Sequence, residues 1–168
     1  MTVSTALQSL AVATATTCSL LAPLAAQADP QTVPFTATLT TQETLGFNPL
    51  ACAAAPYLQG TTTGTGVATG MGKVTLQSTD CPTPSLTVFT FTGGQLVLTA
   101  ANGDTLTADY SGALSPTAAY PLYTLSGSYR VTGGTGRFSN ATGAGSLQGS
   151  SNLLTGQSAY QARGTLRY

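Results

Sequence analysis

The feature that most constrains this chain is an alternation of side chains in steps of two, interrupted at short intervals by Gly, Pro, Asn and Asp. The first such stretch sets four apolar residues at odd positions, Val33, Phe35, Ala37 and Leu39. Because successive side chains of a strand point to opposite faces, this spacing predicts strands with one apolar face. No window holds apolar residues at helical spacing, so the chain is predicted to be all-β.

About eight short strands follow one another at spacings near ten residues, which is typical of a barrel or sandwich. Gly93-Gly94 and Asn102-Gly103-Asp104 are predicted to form tight hairpin turns. The prolines of Cys81-Pro82-Thr83-Pro84 are predicted to interrupt the sheet, and residues 46–60 to form a long loop. Hairpin connectivity favours a single small antiparallel up-and-down barrel, in which closure leaves no exposed edges.

The N-terminal segment has the pattern of a cleaved signal peptide. Small and apolar residues end in Ala26-Gln27-Ala28, the small-x-small form that signal peptidase cleaves. We therefore expect a signal peptide at 1–28, a barrel domain at 29–168, and a secreted or periplasmic location. No Lys or Arg precedes the apolar run, so a start upstream of Met1 stays open.

Composition excludes several classes of function. The chain has five basic residues, five acidic residues and no His, so we expect no nucleic-acid partner and no His-dependent nucleophile. No cofactor is expected either. Gly70-Met71-Gly72-Lys73 is followed by Val74, so it lacks the Ser or Thr of a phosphate-binding loop and is predicted to be a turn.

The cysteines point to a disulfide. Cys18 leaves with the signal peptide, and Cys52 and Cys81 remain as an even count in an oxidising compartment. Two Cys without His fall short of the ligands of a zinc site, so no metal is expected.

One glycine-rich stretch resembles a known family. Residues 133–143 read G-G-T-G-R-F-S-N-A-T-G, a form similar to the G-G-T-G-[KR]-F and A-x-G segment of the allene oxide cyclase and dirigent-like barrels. Residues 101–112 resemble the hairpin and strand that secreted bacterial members carry before it. The resemblance implies an eight-stranded antiparallel barrel with a mostly apolar pocket, and cyclase activity in some members. Phe138 would plug such a barrel, with the glycines admitting positive φ around it.

Candidate ligand-binding residues follow from their phase in the predicted strands. Counting by twos from Val33 places Glu43 on the apolar side if the strand runs that far; if it ends near Thr40, Glu43 lies at a wet rim. Four tyrosines share phase with apolar neighbours and should face the core, Tyr110, Tyr123, Tyr129 and Tyr160. Three arginines fall on the polar phase and are expected outside, Arg130, Arg163 and Arg167.

The leading hypothesis is an exported barrel that binds a small apolar molecule in its interior. A cofactor-free cyclase or isomerase, with Glu43 as a weak catalytic candidate, is one alternative. An eight-stranded outer-membrane barrel is another, although the predicted strands are shorter than the about 9–11 residues needed. A surface module without a ligand is the fourth. The sequence leaves the oligomeric state and the ligand open.

Overall fold

The structure, a computed structural model, describes residues 31–85 and 87–168. The expected signal peptide at 1–28 lies outside the described residues. The described residues form one closed antiparallel barrel, which confirms the predicted fold class. Its eight strands, in chain order, are β1 (Thr32–Phe47), β2 (Leu58–Ala68), β3 (Gly72–Pro84), β4 (Phe89–Ala100), β5 (Thr105–Pro116), β6 (Leu122–Gly134), β7 (Thr142–Asn152) and β8 (Gln157–Arg167).

The alternation in the sequence becomes the inside and outside of this barrel. In β1, Phe35, Ala37 and Leu39 are buried, whereas the threonines between them are exposed. β1 also pairs with β8, in a register that sets Ala37 opposite Ala162, and this pairing closes the barrel. Arg130 and Arg163 are exposed on the outer face, as predicted. No helix within the described ranges has the length and apolar character of a membrane span.

The strands are longer than predicted, at 11 to 16 residues. The predicted hairpin at Gly93-Gly94 is wrong, because β4 continues through it from Phe89 to Ala100. The register shifts there against both β3 and β5, so these glycines form a β-bulge. Gly93 has a φ of 60°, a left-handed conformation that glycine adopts without steric cost.

The predicted interruption at Cys81-Pro82-Thr83-Pro84 is also wrong, because these residues continue β3. They pair with β4, whereas the pairing of β3 with β2 reaches only to Asp80, opposite Gly60. A proline cannot donate a backbone hydrogen bond, but this portion of β3 has no β2 partner that would need one.

The two ends of the barrel differ. We call the end with the β2–β3, β4–β5 and β6–β7 connections the closed end. At this end a 3₁₀ turn at Gly136–Phe138 places the Phe138 side chain in the interior, where it is fully buried. Gly133 and Gly136, which both precede Phe138, have φ of 141° and 58°, so the predicted plug and its glycine hinges are confirmed. The Arg137 side chain pairs with Asp104 at 3.3 Å and ties the plug to the β4–β5 hairpin.

Apolar side chains fill the half of the barrel next to this plug. The largest fully buried ones are Phe138, Leu76, Leu106 and Leu166. Burying a Leu or Phe side chain contributes about 1.5–3 kcal/mol, so this half supplies the stabilising core.

The opposite end, which we call the open end, carries the β1–β2, β3–β4, β5–β6 and β7–β8 loops. Cys52 of the β1–β2 loop is bonded to Cys81 of β3, with their Cα atoms 5.5 Å apart, and the predicted disulfide is confirmed. Disulfides persist in oxidising compartments. The bond fixes the longest of these loops against the wall of the barrel.

Candidate functional site

A cavity of about 270 Å³ occupies the interior toward the open end. Most of its wall is apolar, contributed by side chains that include Phe89, Phe91, Leu96, Leu114, Leu125 and Leu147. Its size is close to the lower end of the range for small-molecule sites, about 300–1,000 Å³. The interior is therefore packed in one half and open in the other.

Glu43 points into this cavity. β1 continues to Phe47, so the inward phase of Leu39 and Thr41 extends to Glu43. The sequence left two positions open for Glu43, the apolar interior and the wet rim. The structure places it in the interior, where its carboxyl group lines the cavity.

A second carboxylate, which the sequence reasoning missed, belongs to Asp80. It lies inward on β3, two residues beyond Ser78, and only 8% of it is exposed. The reason is the predicted interruption at Cys81-Pro82-Thr83-Pro84, which placed the end of the strand near Asp80 and gave no inward position to it. Counting by twos from Val74 would have placed Asp80 on the inner face.

Gly60 allows these two carboxylates to approach each other. It lies opposite Asp80 on β3 and opposite Leu45 on β1. A Cβ atom at Gly60 would lie 2.5 Å from Asp80 Oδ1 and 2.5 Å from Glu43 Oε1. The two oxygens are thus no further apart than twice that distance, in space that any other residue at position 60 would partly fill.

Burial and mutual repulsion change how this pair titrates. Burial, together with the charge of Asp80, raises the pKa of Glu43 from 4.5 to about 7. Burial also raises the pKa of Asp80, although the hydrogen bond from Tyr110 partly offsets it. The described residues lining the cavity include no Lys or Arg that would neutralise the pair. Glu43 therefore exchanges its proton near neutral pH.

Two of the four candidate tyrosines lie beside the carboxylates. The Tyr110 hydroxyl donates to Asp80 Oδ2 at 2.9 Å, and Tyr160 lines the same cavity from β8. Burial, reinforced by the charge of Asp80, raises the pKa of both phenols well above the ordinary value. Both therefore remain neutral hydrogen-bond donors at physiological pH.

The other two candidate tyrosines are not brought to the cavity. Tyr129 is buried in the packed half, with its ring centroid 6.1 Å from that of Phe35. Tyr123 lies toward the open end, with its ring 5.8 Å from that of Phe89. Both face inward as their phase predicts, but at different heights along the barrel axis.

Two buried polar atoms in the cavity wall have no hydrogen-bond partner among the described residues. They are Asp80 Oδ1 and Thr41 Oγ1, and Thr41 is only 7% exposed. Buried polar groups in folded proteins are nearly always partnered by protein, water or ligand. Asp80 Oδ1 and Thr41 Oγ1 thus have hydrogen-bonding capacity that the described residues leave unmet.

The mouth of the cavity is apolar and uncharged. The described residues of the segments 44–59, 82–88, 113–124 and 149–158 form the open end, and the sequence of these segments contains no Asp, Glu, Lys or Arg. Large apolar side chains there are exposed, including Leu45, Phe47, Leu50, Tyr120 and Leu154. A guest that enters from this end therefore crosses an apolar surface before it meets Glu43 and Asp80.

Metal binding has little support in the part of the chain that the structure describes, which contains no group of three or more His, Cys, Asp or Glu side chains placed to hold an ion. Glu43 and Asp80 supply two carboxylates, whereas a calcium ion takes about six to eight oxygen ligands. Chemically, the pair can hold or release a proton, accept hydrogen bonds and attract positive charge.

Comparison with protein-family models, with curated proteins and with solved structures finds no match to this chain. No residue role is therefore transferred from a relative. The cavity, its two carboxylates and its two tyrosines are the features from which a function can be inferred.

Proposed function

We propose that this chain is an exported barrel that binds a small, mainly apolar molecule in the cavity at its open end. The observation that carries the proposal is the cavity itself, a mainly apolar space of about 270 Å³ in which polar side chains from several strands, among them Glu43, Asp80 and Tyr160, face the interior. Protein interiors are close-packed, and small barrels that hold no ligand fill their interior with side chains. A ligand site is the usual purpose of an apolar cavity of this kind.

Two features support export. The Cys52–Cys81 disulfide is typical of proteins in oxidising compartments. The sequence Ala26-Gln27-Ala28 has the form of a signal-peptidase site. Membership of the allene oxide cyclase and dirigent-like barrels is part of the same proposal; it is supported by the motif at 133–143 and by an eight-stranded barrel with an apolar cavity.

A cofactor-free cyclase or isomerase is the second candidate, and one observation favours it. Burial raises the pKa of Glu43 to about 7, and a general acid works best when its pKa is near the working pH. An apolar guest held against Glu43 could be protonated there while the walls restrict its conformation. Turnover that survives a Glu43→Gln change would remove this role.

The outer-membrane alternative is disfavoured by the distribution of polarity, although the strands are longer than the sequence suggested. The exposed side chains of β1 and β8 include Thr36, Thr38, Gln42, Gln161 and Arg163, whereas the apolar ones face inward. Membrane barrels have the reverse arrangement, with apolar side chains facing lipid.

A binding experiment with a matched pair of variants tests the proposal. The neutral compound 1-naphthalenemethanol is titrated into the secreted protein and followed by its fluorescence and by the melting temperature. Leu125→Trp fills the cavity and should abolish binding, whereas Ser126→Trp adds the same side chain to the outer face and should leave it unchanged. Absence of binding to the native protein, or equal binding to both variants, would contradict a ligand in this cavity and would favour the ligand-free surface module.

A further inference from the structure

We infer that the Glu43–Asp80 pair makes this cavity selective for an organic amine, whose ammonium group binds the two carboxylates and whose apolar body lies against the leucine and phenylalanine side chains. This inference rests on the proposed function, since it requires a guest in the cavity. It adds the chemical class of that guest.

The first support is the charge of the cavity wall. Glu43 and Asp80 line it, and the described lining residues include no Lys or Arg to balance them. The chain contains no His. Because charges interact more strongly in a partly dehydrated interior than in water, such a wall attracts a cation and repels an anion.

The second support is the unmatched hydrogen-bonding capacity of two buried groups. Asp80 is 8% exposed and Oδ2 accepts a hydrogen bond from Tyr110, but Oδ1 has no partner among the described residues. Thr41 lies two residues before Glu43 on the same inward face, and its buried hydroxyl also has no hydrogen-bond partner among the described residues. An ammonium group brings three donors and no acceptor, so it complements this set of acceptors.

The third support is the spacing of the two carboxylates. Asp80 Oδ1 and Glu43 Oε1 each lie 2.5 Å from the Cβ position of Gly60, so their separation is at most twice that value. A nitrogen about 2.8 Å from each oxygen, the usual length of a charged hydrogen bond, can bridge such a separation.

Aromatic side chains around the pair favour the same guest. Tyr110, Tyr160 and Phe91 line the cavity, and the rings of Tyr110 and Phe91 lie 5.8 Å apart. The faces of aromatic rings attract organic cations. The remaining apolar wall accommodates a hydrocarbon or aromatic body.

Binding of a cation should displace the proton that the pair holds. The titratable groups that line the cavity are Glu43 on β1, Asp80 on β3, Tyr110 on β5 and Tyr160 on β8. The two phenols stay neutral, because burial raises their pKa. Glu43, with its pKa raised to about 7 by burial, is the group that releases the proton. Amine binding should therefore strengthen as the pH rises through 7.

The experiment uses three compounds with one naphthalene body and different charge. Calorimetric titration of the secreted protein near pH 7.5 compares 1-naphthylmethylamine, 1-naphthalenemethanol and 1-naphthoate. We expect the amine to bind at least tenfold more tightly than the alcohol, and the carboxylate to bind most weakly. Repeating the amine titration in two buffers with different ionisation enthalpies should show proton release, a readout that needs no variant.

Isosteric variants test whether the two carboxylates cause the preference for the amine. Glu43→Gln and Asp80→Asn should each lower the ratio of amine affinity to alcohol affinity from at least tenfold to about twofold or less. The control is Asp109→Asn, which removes a carboxylate from the outer face of β5 and should keep the preference. Thermal melts of each variant confirm that it is folded.

The outcomes separate this inference from the proposed function. Equal binding of amine and alcohol by the native protein overturns the inference and leaves the apolar site in place. A preference that persists in both variants, or displacement of the amine by calcium chloride, also overturns it. Failure of all three compounds to bind overturns the proposed function and this inference together.

Discussion

The Tyr110 hydroxyl on β5 donates to Asp80 Oδ2 on β3 at 2.9 Å, across the interior of the barrel. This bond occupies one oxygen of Asp80 and leaves Oδ1, which lies near Glu43 Oε1, without a partner among the described residues. A tyrosine thus orients a carboxylate that is only 8% exposed.

Removal of this bond should destabilise the fold. Tyr110→Phe leaves Asp80 without its donor, and a buried polar group without a partner costs about 1–3 kcal/mol. We expect the unfolding free energy in urea to fall by that amount and the pKa of Asp80 to rise further, since the bond lowers it. Tyr123→Phe, at the open end, is the control and should change stability little. Equal stability of both variants would show that the bond contributes nothing.

Stability should fall as the pH rises between about 4.5 and 7. Burial raises the pKa of Glu43 from 4.5 to about 7, so in this window the folded protein binds more protons than the unfolded chain. The unfolding free energy should decrease by up to about 3 kcal/mol across it, and burial of Asp80 acts in the same direction. Urea unfolding at several pH values checks this. Glu43→Gln should flatten the dependence, whereas stability that increases over this range would contradict a buried, protonated Glu43.

An alanine at position 60 should disturb the carboxylate pair without unfolding the barrel. Its Cβ would lie 2.5 Å from both Glu43 Oε1 and Asp80 Oδ1, so both side chains must move. We expect Gly60→Ala to weaken binding of 1-naphthylmethylamine at least tenfold. Gly46→Ala is the matched control on β1, because its Cβ would meet nothing within 4 Å. If both variants bind the amine as the native protein does, the pair has no role in binding.

The disulfide should contribute about 3–4 kcal/mol, the chain-entropy value for a loop of its length, since Cys52 and Cys81 are 29 residues apart. The double change to Ser should lower the unfolding free energy by that amount, and a reductant should destabilise the native protein but not the double variant. A reductant that leaves the native melting temperature unchanged, under conditions in which both thiols are shown to be free, would contradict this contribution.

The sequence determines which face of each strand a residue occupies, and on this point prediction and structure agree. Phe35, Leu39 and Tyr129 are buried, the plug residue Phe138 is in place, and Arg163 is outside. These positions follow from the period of two and from glycine-rich turn chemistry, which are local properties of the chain.

The height of a side chain along the barrel axis is not a local property, and the sequence alone did not predict it. Tyr129 and Tyr160 both face inward, but only Tyr160 reaches the cavity, because the register between strands decides depth. Asp80 was missed because a proline such as Pro82 is typical of the end of a strand. β3 nevertheless continues through Pro82, where it pairs with β4 and no longer with β2. The proximity of Glu43 and Asp80 depends on the register of β1, β2 and β3, in which β2 carries Gly60 between them.

The most direct test of the central claim is to locate a bound guest by NMR. With leucine methyl groups labelled, 1-naphthalenemethanol should shift the signals of Leu96, Leu114 and Leu125, which line the cavity, and leave those of Leu76, Leu106 and Leu166 in the packed half unchanged. Shifts confined to the exposed Leu50 and Leu154, or no saturable shift at all, would contradict a ligand site inside the barrel.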